Sequence, residues 1–194
     1  MFDFGRRELA ALGGLTCIAL VMGCEGEPEP DPPPPPVRTS LARVDAWTYV
    51  ADVADDVFGA ERPEGIVCDT VEGLGLENVG VDPAFEVKTG ICNYATVQQP
   101  SLGAVTAGDT IDVRAWHWEL FNEDVAQGHM AIAIDGDVIW ERWIDIPASA
   151  NLIEDELVAE RDYPAGVDLQ FHVHNHGVNS YDFLGLQATS YPED

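Results

Sequence analysis

From Phe85 onward the chain is written in alternation. Ile111, Val113 and Ala115 alternate with Asp112, Arg114 and Trp116, and Met130, Ile132 and Ile134 with His129, Ala131 and Ala133. Leu169, Phe171 and Val173 alternate with Gln170, His172 and His174. A period of two belongs to half-buried strands, one set of side chains in a core and the other on an outer face. Strands are predicted at 85–87, 91–97, 110–118, 129–134, 138–146, 167–176 and 181–188. Turn chemistry separates them at Ala107-Gly108-Asp109, Asp135-Gly136-Asp137 and Pro164-Ala165-Gly166. Residues 152–159 fit a strand or a helix, and their place between strands favours strand. Earlier the rhythm is weaker: 46–57 reads as strand then turn, 59–63 as loop, 66–68 and 74–79 as short or irregular. About eight strands with closely spaced turns predict an all-β fold, an antiparallel β-sandwich of jelly-roll type.

The same alternation assigns faces. Val138, Trp140, Ile144 and Ile146 form the core set of their strand, leaving Glu141, Trp143 and Asp145 outside. His172, His174 and His176 form one outward row, and His129 falls on the outer face of its own strand. His117 is in phase with Ile111, Val113 and Ala115, a core position where a buried, hydrogen-bonded histidine is the ordinary outcome; a β-bulge would reverse its face.

Neutral imidazole is the commonest protein ligand for late transition metals. Residues i and i+2 of a strand can share one ion, whereas His172 and His176 are too far apart unless the strand bends. The expected zinc or copper site is therefore an adjacent pair, His172 with His174, plus a neighbouring-strand histidine, His129 by face, with His176 and His117 as further candidates. The bland alternative is a decorated polar face. A rival constellation is Trp116, Trp118 and Trp143, all outward by phase: an exposed aromatic platform of this kind marks a ligand surface, with a saccharide as its natural guest. No G-x-S-x-G, H-E-x-x-H or P-loop pattern occurs, so a binding or structural domain is expected rather than an enzyme.

Composition adds a location. The formal charge is −26, which repels phosphate backbones and excludes nucleic acid as an expected partner. Arg6 and Arg7 precede an apolar run that ends in Val21-Met22-Gly23-Cys24. That ending resembles the bacterial lipobox, and the resemblance implies a signal peptide over 1–23, lipidation of Cys24, and anchoring to a membrane of the bacterial cell envelope, on the periplasmic side or at the outer-membrane surface. Residues 24–39 continue as an acidic, proline-rich spacer, leaving 40–194 as the folded domain. Cys68 and Cys92 remain, and an exported domain favours their pairing into a disulfide, worth about 3 kcal/mol for a loop of this length.

The strand rhythm, closing after Pro164-Ala165-Gly166, is similar to that of carbohydrate-binding modules and galactose-binding-like jelly rolls. That likeness implies a ligand-binding module, with a saccharide or another surface protein as partner.

Overall fold

The computed structural model describes residues 34–175 and 177–191. The expected signal peptide, the expected lipidation site Cys24, and His176 lie outside the described residues. Among the described residues eleven strands run in chain order: β1 Val37–Ser40, β2 Thr48–Tyr49, β3 Leu74–Val79, β4 Asp82–Lys88, β5 Tyr94–Pro100, β6 Thr110–His117, β7 Ala126–Ile134, β8 Asp137–Ile146, β9 Asn151–Val158, β10 Asp168–His174 and β11 Ser180–Ser190. A single 3-10 turn, Gly59–Glu61, interrupts the long connection between β2 and β3.

The strands form two antiparallel sheets. One has the order β3-β4-β11-β6-β9, with β1 also on β11; the other is β2-β5-β10-β7-β8. Within β4 to β11 the pairing is nested: β4 with β11, β5 with β10, β6 with β9, β7 with β8. Four strands going out and four returning, rolled into two facing sheets, is the jelly-roll arrangement. The expected eight-strand sandwich is therefore present, extended by β1, β2 and β3. β3 carries Gly75, Glu77 and Asn78 and reads as irregular in sequence, yet it pairs along its whole length with β4. Residues 152–159 resolve as strand β9, and β1 begins inside the stretch expected to be spacer.

The core lies between the sheets. Phe85, Val113, Phe183 and Leu186 come from one side, and Met130, Ile132, Phe171 and Val173 from the other. Trp47 wedges among Phe85, Phe171 and Phe183 at centroid distances of 5.0–6.1 Å. Gly128 belongs to this layer because a Cβ there would run into the ring of Tyr181. Two bulges change the phase. In β8 the register shifts opposite Ile132/Ala133, so Val138 pairs with Ala133 and stands half-exposed outside the core, contrary to the alternation reading. In β11 the shift between Phe183 and Gly185 moves the inward set from Tyr181 and Phe183 to Leu186 and Ala188.

The Cys68–Cys92 disulfide is formed. It fixes the far end of a segment, residues 50–67, that crosses the outer face of the five-stranded sheet.

Candidate functional site

Register places the outward side chains of the five-stranded sheet in rows. Tyr94 of β5, His174 of β10, His129 of β7 and Trp143 of β8 make one row. Thr96, His172, Ala131 and Glu141 make the next. Ala131 and Ala133 are small, and the space above them is filled by Phe58 from the crossing segment, which with Tyr94 forms a second apolar cluster outside the main core.

The crossing segment is pinned at several points. Val50 N–H donates to Thr96 O at 2.8 Å. Gln170 accepts from Val57 N–H at 3.0 Å and donates to Asp55 O at 2.7 Å. The Tyr94 hydroxyl donates to Asp56 Oδ2 at 2.7 Å, and Asp56 Oδ1 accepts from Phe58 N–H at 3.0 Å. Burial, then the Asp56 contact, pushes the Tyr94 phenol far above its ordinary range, so it stays a donor. Phe58 stacks on His172 with ring centroids 4.5 Å apart. These contacts set the 3-10 turn that carries Glu61 over the histidines.

Glu61, His129 and His172 each offer a ligand atom, all within 4.8 Å of one another. His129 Nδ1 lies 3.2 Å from Glu61 Oε2, and its Nε2 lies 3.4 Å from Glu141 Oε2. Neither contact is aligned as a hydrogen bond: both His129 nitrogens are buried and without a hydrogen-bond partner. His172 Nδ1 is 2.9 Å from Thr96 Oγ1. With Nδ1–H donating to that hydroxyl, Nε2 keeps its lone pair, and Nε2 too is buried without a partner. Burial, reinforced by His129 and His174, holds the His172 pKa well below the ordinary imidazole range, so the ring is neutral.

Buried polar atoms normally find partners. Two imidazoles, each offering one nitrogen beside a carboxylate, are what a borderline metal ion completes. Around a tetrahedral ion with bonds of about 2.0–2.1 Å, ligand atoms stand roughly 3.3 Å apart, and the His129–Glu61 separation already has that value. Glu141, against the other nitrogen of His129, suits an orienting carboxylate. Trp143 stacks on His129 at 3.9 Å with the rings 3° from parallel, fixing the imidazole plane.

His174 shares the face and lies 6.3 Å from His172 between ring centroids, but it is outside the three-residue set. His117 is buried in the other sheet, its Nδ1 donating to Trp118 O at 2.9 Å. The three outward tryptophans do not share a platform. Trp143 is on the five-stranded face, whereas Trp116 and Trp118 are on the six-stranded sheet, edge to face at 82°. Sequence reasoning reached His129 and His172 but not Glu61, Thr96 or Tyr94.

No protein-family model and no curated protein matches the chain. Among solved structures it is similar to a cyclase from Fischerella sp. TAU, at 8% identity and a TM-score of 0.47 over 81% of this chain and 90% of that one. It is also similar to a carbohydrate-binding module described for specific mannan recognition, at 6% and 0.46 over 82% and 100%. A family 16 carbohydrate-binding module follows at 8% and 0.41 over 66% and 88%. Likenesses this distant settle neither ligand nor function.

Proposed function

We propose that this protein is a metal-binding β-sandwich that takes zinc or copper through His129, His172 and Glu61. The observation that carries the reading is the set of buried, partnerless imidazole nitrogens of His129 and His172 beside Glu61. Histidine with carboxylate suits zinc, and copper accepts the same donors. The site binds rather than catalyses. Titration calorimetry of the purified protein with each metal at pH 7.5 and 5.5 tests it. Saturable binding at pH 7.5 that weakens at pH 5.5 is expected, because protons compete for the same nitrogens. Absence of saturable binding at pH 7.5 sinks the reading.

A second reading, a saccharide-binding module, is favoured by the exposed indoles of Trp143 and Trp118, 51% and 43% exposed, which sit on opposite outer faces. Retardation of the protein on neutral polysaccharide gels, lost with Trp143→Ala or with Trp118→Ala, supports this reading and says which face is used.

The disulfide supports an oxidising compartment, and we place the domain outside the cytoplasm, held to an envelope membrane by lipidated Cys24. Cys24→Ser should release it from the membrane fraction and abolish fatty-acid labelling; a variant that stays bound and labelled refutes the anchor.

A further inference from the structure

The outer face of the six-stranded sheet holds a buried acid that the metal site does not use. Asp182 of β11 pairs with Glu86 of β4 and with Trp116 of β6. Alternation with Tyr181 and Phe183 turns it away from the core, yet it is 0% exposed. Its cover is aromatic. Trp116 and Trp118 meet with centroids 5.7 Å apart, and Trp118 Nε1–H donates to Glu77 Oε1 at 2.9 Å. That bond joins β6 to β3 across the two intervening strands, β11 and β4, which carry Asp182 and Glu86.

Asp182 has no donor: neither carboxyl oxygen has a hydrogen-bond partner. The groups facing it are Glu77 from β3, Glu86 and Lys88 from β4, and the uncharged Trp116 and Trp118 from β6. Lys88 Nζ is engaged by Glu86 at 3.0 Å, and Arg114 farther along β6 is engaged by Asp82 and Glu154. A dehydrated carboxylate without donors, beside two others, is strongly disfavoured, and the ordinary resolution is to keep the proton. Burial first, then Glu77, raises the Asp182 pKa to about 8. Protonated, Asp182 can donate to Glu77 instead of repelling it, and Glu77 is left in place to hold Trp118.

We propose that the Trp118–Glu77 hydrogen bond is a proton-held latch, closed over Asp182 while that residue is protonated and released when it ionises. Release places two like charges against each other under the indole, detaches Glu77 from Trp118, and uncovers an aromatic surface lined by three carboxylates.

The test is acrylamide quenching and emission of the tryptophans of the whole protein between pH 6 and 9, with far-UV circular dichroism as a check on fold. Quenching should rise, and emission shift to the red, with a midpoint near pH 8. Asp182→Asn, whose amide can donate to Glu77 at every pH, should abolish that transition, and subtracting its profile removes contributions from histidines elsewhere. Glu77→Gln, which removes the facing charge that drives release and keeps an acceptor for Trp118, should suppress the transition and serves also if the first variant does not fold. A wild-type profile flat from pH 6 to 9, or one unchanged by Asp182→Asn or by Glu77→Gln, overturns the latch.

Discussion

The five-stranded sheet hides its outer histidines beneath a segment borrowed from elsewhere in the chain. The six-stranded sheet hides its outer aspartate beneath two of its own tryptophans. Both solutions bury a titratable group in its uncharged form, and they respond to protons in opposite directions. His172 is held below the ordinary imidazole range. As pH falls through about 6.5 the unfolded chain takes up a proton that folded His172 refuses, so this group makes acid destabilising. Asp182 is raised from 3.8 to about 8. Between those values the folded protein keeps a proton that the unfolded chain has lost. Its contribution is fully present below about pH 4 and is lost as pH rises through about 8. What differs is the kind of partner each face would accept: on the proposed reading the histidine face takes a cation from solution, whereas the aspartate face takes a proton that Asp182 itself carries.

The largest way to separate the two faces is through the disulfide. Cys68 and Cys92 tie down the end of the segment that carries Glu61, and among the described residues no disulfide serves the six-stranded face. Cys92→Ser should lower stability by about 3 kcal/mol, read by urea unfolding, and should weaken metal binding, while the pH-dependent quenching near pH 8 survives wherever the protein is folded. Loss of the quenching transition in folded protein would mean the faces are coupled.

His172→Ala comes next. It removes one ligand and leaves His129 and Glu61, and zinc affinity should fall about 100-fold or more. The tryptophan response to alkaline pH should not change, because His172 and Asp182 lie on opposite outer faces. Unchanged zinc affinity would show that the cluster is not the site. Asp182→Asn is the mirror experiment: zinc affinity unchanged, and stability raised relative to the parent at pH 8 more than at pH 4. The same gain at both pH values would mean that Asp182 is not held as the acid.

The histidine face was the more legible of the two in sequence. Alternation places His129 and His172 outside and together because regular strands keep their phase. Glu61 was beyond reach. It is one of 35 acidic residues, and its position depends on contacts such as Tyr94–Asp56 and Gln170–Val57, made by residues far apart in the chain. Val138 was misplaced because a bulge shifts the β8 register, and nothing local in Asp137-Val138-Ile139 announces it. Asp182 reads as an ordinary outward residue, yet it is buried on a face where the Trp118–Glu77 bond spans the two strands that carry Asp182 and Glu86.

The smallest expected effect tests how firmly the borrowed segment is held. Tyr94 sits in the same cross-strand row as His174 and His129, but its hydroxyl points to Asp56, not to the cluster. Tyr94→Phe keeps the ring that packs against His172, at 4.7 Å between centroids, and removes only the donor. Asp56 then retains Phe58 N–H and loses the hydroxyl, a change worth about 1 kcal/mol. Because the segment also delivers Glu61, the loosening should reach the proposed metal site and reduce zinc affinity a few-fold, far less than His172→Ala. Urea midpoints and zinc titrations of the two variants, measured side by side, give both numbers. A Tyr94→Phe protein with reduced stability and full zinc affinity would show that Glu61 is positioned without this clamp, leaving the Phe58–His172 stack as the contact that seats it.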